Sequence, residues 1–301
     1  MNSSLVNITN IIFKTFRNKN NLIGIFWNLI KCLAFSLVSI LSKILSDDLH
    51  VFQIFFIAMC IRVLIFLPVL FSKKTINLSI HNYKFYFIRS ILTTCGLILW
   101  FYTLSITPIN EATIVSYTAP LFTILLAHLI LKENLSIKYL TVTLLGFLGT
   151  IIAVHAKFSS FNSGFLLAFI TTIIWALTNI VSKIQATNEG IYSQMFYNTI
   201  LMAIFSMPFA IQYWQPLNFS NFSLLFLIAL FFLVNNISLT LSFKYGDLVI
   251  VSPFEFSRLI FSYILAYFYF NETMDIYKIL GSIVILITSI YLIRLETKKI
   301  V

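Results

Sequence analysis

Long apolar runs alternate with short polar gaps from Leu22 to Ile293. Each run is about 20 residues long, which at ~1.5 Å per residue matches a hydrocarbon layer ~30 Å thick. Ten such spans are predicted: 22–45, 51–72, 85–106, 111–131, 138–156, 163–184, 191–212, 222–243, 248–270 and 275–294. The gaps are too short to hold a soluble domain. Residues 1–21 are polar and carry Lys14, Arg17 and Lys19. With Leu5, Ile8, Ile12 and Phe16 at helical spacing, this segment reads either as a surface-lying helix or as a tail. The run that follows is too long for the core of a cleavable signal. Residues 295–301 form a short tail after the last span.

The runs repeat. Ser36 to Lys43 in the first span resembles Ala176 to Lys183 in the sixth. Ala127 to Glu133 at the end of the fourth resembles Ala266 to Glu272 at the end of the ninth. The two anchors are displaced along the chain by the same amount, to within a single position. Their agreement indicates a duplication of five spans, residues 22–156 and 163–294. Five is odd, so the second copy is inverted relative to the first. Many secondary transporters are built this way, with the substrate site near the midplane between the halves.

Composition agrees with this pattern. The chain of 301 residues is 59% hydrophobic and 10% charged, unlike a water-soluble domain. Its net charge of +10 does not point to nucleic acid, because the basic residues sit between the spans. Lys14, Arg17, Lys19, Lys73, Lys74, Lys84, Arg89, Lys132, Lys138, Lys183, Lys244, Arg294, Lys298 and Lys299 gather at one set of ends. The opposite set has Lys157 and Lys278, beside Asp47, Asp48 and Asp275. By the positive-inside rule both termini face the cytoplasm of a bacterial inner membrane. Cys32, Cys60 and Cys95 show neither disulfide nor metal spacing, and no metal or cofactor is expected.

The ninth span carries the strongest candidate chemistry. Glu255 and Arg258 lie inside an apolar run, where charge is costly and persists in a protein interior or a wet cavity. Three residues apart, they share a helix face and are expected to reach one another. They either contact a substrate directly or form a permanent structural pair. Pro253 precedes them and predicts a break in the helix. Lys31 is deep in the first span and must face a cavity or lie closer to the span's end than drawn. Trp100, Tyr102 and Tyr117 offer aromatic faces to a cation or serve packing. Asn179, Asn235 and Asn236 read a substrate or join helices. Lys43 and Lys183, at opposite faces, snorkel or gate. Glu133 and Glu272 close their helices.

The sequences Tyr117-Thr-Ala-Pro120-Leu-Phe…Lys-Glu133 and Pro253-Phe-Glu255-Phe-Ser-Arg258…Asn-Glu272 resemble the two EamA repeats of the drug/metabolite transporter superfamily. The resemblance covers about residues 22–293. It implies an all-α integral membrane fold, ten transmembrane helices in two inverted five-helix repeats. Leu49 to Phe52, Thr113 to Thr123, Met195 to Tyr197 and Gln212 to Trp214 are similar to the rickettsial S-adenosylmethionine uptake group within it. That implies a secondary-active carrier of a small molecule, importing or exchanging S-adenosylmethionine by alternating access. An exporter of amino acids or other small metabolites is the alternative. A passive channel would need rings of like residues. An intramembrane enzyme would need converging acids and bases, and no H-E-x-x-H or G-x-S-x-G motif is present. No G-x-x-x-x-G-K loop is present to bind ATP, so gradients, exchange or protons drive the carrier. The oligomeric state is not readable from these residues.

Overall fold

A computed structural model describes residues 3–72, 78–107, 109–155, 163–271 and 275–298. Its elements are α1 (Ser3–Leu45), α2 (Val51–Ser72), α3 (Tyr83–Ile106), α4 (Ile109–Ser116), α5 (Ala119–Leu131), α6 (Ile137–Val154), α7 (Ser163–Asn188), α8 (Ile191–Gln212) and α9 (Phe219–Tyr245). After these come α10 (Leu248–Val251), a 3-10 helix (Ser252–Phe256), α11 (Ser257–Phe270) and α12 (Ile276–Lys298). Ten stretches are long and apolar enough to cross a membrane, and they coincide with the ten predicted spans to within a few residues. The chain is a multi-pass membrane protein. α1 and α12 run further than expected at the outer ends: the helix backbone begins at Ser3 and continues to Lys298.

The fourth span is broken near its middle and the ninth nearer its start. Pro120 starts α5 after a turn at Tyr117 and Thr118, and Pro253 sits in the 3-10 helix that separates α10 from α11. The reason is the same in both. Proline has no N–H to give and its ring crowds the preceding turn, which favours a break there, although α2 and α8 continue through Pro68 and Pro208.

Inversion is visible in which helices touch. α1 packs on α9 as α7 packs on α3, and α1 meets α11 as α7 meets α5. α2 pairs with α8, and α6 with α12, across the pseudo-symmetry axis. The α6–α12 seam is built from small residues. A Cβ on Gly149 would stand 3.1 Å from the Gly281 carbonyl oxygen, and one on Gly281 would collide with the Gly149 and Ala153 backbone. Gly24 and Gly246 let α1 and α9 approach as closely, 2.7 Å from an added Cβ to the Gly246 Cα. In lipid, where apolar surface alone gives helices no reason to associate, such backbone approach supplies the packing energy.

Two clasps close the ends. Gln53, at the start of α2, donates to the Gln215 carbonyl (2.8 Å) and accepts from the Gln215 N–H (2.9 Å). At the other end Glu189 accepts from the N–H groups of His81 and Asn82 (3.2 and 2.9 Å) and from the Tyr86 hydroxyl (3.1 Å). Burial works against the Glu189 carboxylate, yet these donors outweigh it and hold its pKa below the ordinary 4.5. A depressed carboxyl pKa contributes stability above 4.5 and loses it as pH falls through the folded value. Glu189→Gln is expected to cost about 1–3 kcal/mol at neutral pH. Thermal unfolding in detergent should show the gap to wild type closing as the buffer is acidified below 4.5. Gly281→Leu has no room against α6 and is expected to unfold at a clearly lower temperature. Ile279→Leu, at an exposed position on the same helix, should leave the unfolding temperature unchanged.

Candidate functional site

The break in the ninth span is held open by one face of α1. Asn28, Cys32 and Ser36 recur every fourth residue, so they lie in a row along that helix, and all three are fully buried. Asn28 Nδ2 donates to the Val251 carbonyl, Cys32 Sγ lies 3.6 Å from the Phe254 carbonyl, and Ser36 Oγ donates to the Arg258 carbonyl (3.1 Å). Ser36 also meets Ser262 Oγ at 3.1 Å. These contacts tie α1 to the backbone on both sides of the break, in addition to the bonds the backbone makes itself, such as the Ser257 N–H to the Phe254 carbonyl.

The adjacent row of α1 carries Lys31 and Phe35. Lys31 Nζ forms an ion pair and hydrogen bond with Glu255 Oε1, with side chains 10% and 15% exposed. Arg258 does not join them. Its guanidinium lies 5.0 Å from the ring centres of both Phe35 and Tyr117, and its Nε reaches the Tyr117 hydroxyl at 3.5 Å. The expected Glu255–Arg258 pair is thus replaced by Lys31–Glu255. The spacing rule assumed a continuous α-helix, and the 3-10 turn that ends at Phe256 places the two side chains in different surroundings. Among the described residues Arg258 has no carboxylate partner, so its donors are left to aromatic faces and to whatever enters beside them.

The other candidates divide. Asn235 joins the cluster, donating to the Lys31 carbonyl at 3.0 Å. Tyr117 is buried and also packs against Phe256. Gly146 on α6 makes room for that Phe256 ring: a Cβ there would be 2.7 Å from it. Asn179 donates to Thr123 Oγ1 at 3.2 Å, linking α7 to α5. Asn236 bonds within its own helix to the Phe232 carbonyl. Trp100 packs on Trp175 across α3 and α7, with ring centres 5.2 Å apart. Tyr102 is 57% exposed, and its side chain makes no hydrogen bond or ring contact among the described residues. Phe35, Cys32 and Ser36 were not singled out by sequence reasoning. Their signal was the four-residue spacing around Lys31.

Gating candidates lie at the helix ends. Lys183 Nζ donates to the Phe243 and Gly246 carbonyls (2.7 and 2.6 Å) and is 3.9 Å from Glu133 Oε1. Glu133 Oε2 accepts from the Val249 N–H at 2.9 Å. Burial pushes the Glu133 carboxyl pKa up, against the pull of that N–H and of Lys183. One cation and one acid thereby tie α5, α7, α9 and α10 together. Lys43, at the opposite face, lies over the Phe270 ring at 4.2 Å. Glu272 lies outside the described residues.

The copies are not equivalent where charge is concerned. Cys32 and Thr172 hold equivalent places in the two repeats, as do Phe254 and Val115. Thr172 Oγ1 donates to the Val115 carbonyl (3.2 Å) just as Cys32 approaches that of Phe254. In the same register, Thr171 stands in the second copy where Lys31 stands in the first. Ser116 and Ala119 stand in the first copy where Glu255 and Arg258 stand in the second. The seam is duplicated; the charges are not.

An inverted pair of five-helix bundles, with one broken helix in each copy and an unshared set of charges beside one break, is the architecture of a membrane carrier. The chain belongs to the EamA-like transporter family, which it matches twice, at residues 22–155 and 162–295. It is a transporter and not an enzyme. It is 32% identical to the S-adenosylmethionine uptake transporter of Rickettsia conorii over 288 residues, 93% of this chain and 95% of that protein. It is 26% identical over 247 residues to a riboflavin transporter of Brucella anthropi (79% and 86% of the two chains). To a pseudopaline exporter of Pseudomonas aeruginosa it is 22% identical over 281 residues (92% and 97%). One crystal structure shares the fold with a TM-score of 0.77 at 15% identity, over 93% of this chain and 98% of the other.

If Lys31 and Glu255 compensate one another, removing either leaves a buried charge unpaired, which costs about 3–5 kcal/mol. Lys31→Met and Glu255→Gln are each expected to lower the unfolding temperature. The double variant should recover most of the loss. Additive losses in that cycle would show that the two side chains do not interact.

Proposed function

We propose that this protein is a secondary-active carrier that takes up or exchanges S-adenosylmethionine by alternating access, in a bacterial inner membrane with both termini cytoplasmic. The observation that carries the reading is the cluster at the break in the ninth span: Lys31 paired with Glu255, and Arg258 held between Phe35 and Tyr117. S-adenosylmethionine presents a carboxylate, an ammonium, a sulfonium and an adenine ring. Arg258 offers a carboxylate its two-pronged donor face. Glu255 offers an acceptor to the ammonium, and the rings of Phe35 and Tyr117 suit a sulfonium or a stacked base. Lys31 occupies the carboxylate of Glu255 while the site is empty. Substrate entry exchanges one cation for another, so the buried acid is never left unpaired. Similarity to the uptake transporter over 93% of the chain supports this substrate. The placement of basic residues at one set of helix ends supports the orientation.

The test is uptake of labelled S-adenosylmethionine by cells expressing the protein, with S-adenosylhomocysteine as competitor. Saturable uptake above that of empty-vector cells is expected, and its absence removes this substrate. The double variant Lys31→Met/Glu255→Gln removes both members of the ion pair together, so neither is left uncompensated. It is expected to accumulate in the membrane at the wild-type level and to transport nothing. Arg258→Lys keeps the charge without the fork and should raise KM more than it lowers the maximal rate.

A further inference from the structure

A second charged cluster lies away from that site, in the layer where α2, α3, α7 and α8 meet. Arg62 on α2 and Arg89 on α3 are each only 2% exposed. α2 and α3 both pack on α8, which brings the two arginines into one layer. Arg89 Nη1 donates to Gln185 Oε1 (2.9 Å) and more weakly to Gln194 Oε1 (3.4 Å). Arg62 is worse provided for: its Nη1 meets the Met59 sulfur at 3.2 Å, and its Nε has no acceptor. Asn198 donates to Gln185 Oε1 at 3.2 Å, and among the described residues both Gln185 Nε2, a buried donor, and Asn198 Oδ1, a buried acceptor, are without a partner. Among the described residues neither arginine has an acid. Glu189, at this end of the bundle, is engaged by the amides of His81 and Asn82 and by Tyr86.

Guanidinium is donor-only and keeps its charge. Two of them in a low-dielectric interior without a counter-charge carry both a desolvation cost and mutual repulsion. Packing does not ask for them. In the register of the repeat, Arg62 and Arg89 correspond to Met202 and Ala229, both buried in an apolar cluster. The inverted copy thus fills the equivalent space with hydrocarbon, and the polar version exists on one side only.

We propose that Arg62 and Arg89, with the Gln185 amide, form a binding site for one phosphate group. A doubly ionised phosphate neutralises both guanidinium groups and a phosphodiester headgroup one of them, and either presents acceptor oxygens to the planar forks. The group is either free inorganic phosphate or the headgroup of an anionic phospholipid. Because α2 and α3 belong to one copy and α7 and α8 to the other, the bound anion would bridge the two.

The test is thermal unfolding of the purified full-length protein at constant ionic strength. It is titrated separately with inorganic phosphate, with acetate and with phosphatidylglycerol micelles. A saturable upward shift of the unfolding midpoint is expected with phosphate or phosphatidylglycerol, larger than with acetate, and which of the two acts identifies the source. Arg62→Met, which copies the residue at the equivalent place in the second repeat, should lose the shift. No shift in the wild-type protein with either phosphate source overturns the proposal, as does an equal shift in Arg62→Met. Should Arg62→Met fail to fold, Arg62→Lys provides the comparison, with a weaker shift expected and an unchanged one contradicting the site.

Discussion

The backbone around the break in the ninth span is anchored by polar side chains of α1. The row Asn28, Cys32, Ser36 supplies donors to the carbonyls of Val251, Phe254 and Arg258. Hydrocarbon offers no water to do so. That row sets how α1 is rotated and how high it sits against the ninth span. Rotation in turn brings Lys31 and Phe35 toward Glu255 and Arg258. The site is a by-product of anchoring the backbone: with the break unsupported, the ion pair would have no fixed geometry.

The inverted repeat separates scaffold from chemistry. Features that recur in register between the copies include the broken helices, the donor to a carbonyl at the break and the glutamates that end the spans. These are what two antiparallel bundles need in order to pack. Features that do not recur are Lys31, Glu255, Arg258, Arg62 and Arg89. A charge at membrane depth with no structural duplicate is retained for another reason, and recognition of a charged solute is the simplest one.

How much could be read from the sequence follows from the range of each interaction. The spans were legible because a bilayer imposes one length and one composition on every crossing. The breaks at Pro120 and Pro253 were legible because proline acts on its own backbone. Partner choice was not. Glu255 and Arg258 are three residues apart, and helical spacing pairs them. Glu255 instead meets Lys31, 224 positions away in the chain, across a turn whose 3-10 geometry the spacing rule did not include. Tyr102 and Trp100 lie two residues apart on one helix, and composition alone could not tell the half-buried ring from the exposed one. Lys31 stood out early because its depth was anomalous, and that anomaly was the one sequence clue to the true partner of Glu255.

The seam between α6 and α12 differs in kind from the one along α1. Gly149, Ala153 and Gly281 bring the two backbones into close contact, with the Val284 and Ile285 side chains packed against the same seam. Such a joint has no slack: it cannot slide by a fraction of a turn without driving atoms into one another. The two helices are therefore obliged to travel as a single strut. In the alternating-access mechanism proposed above, reorientation would be taken up where the contacts are polar and exchangeable, around α1 and the broken spans, while this strut keeps the halves aligned.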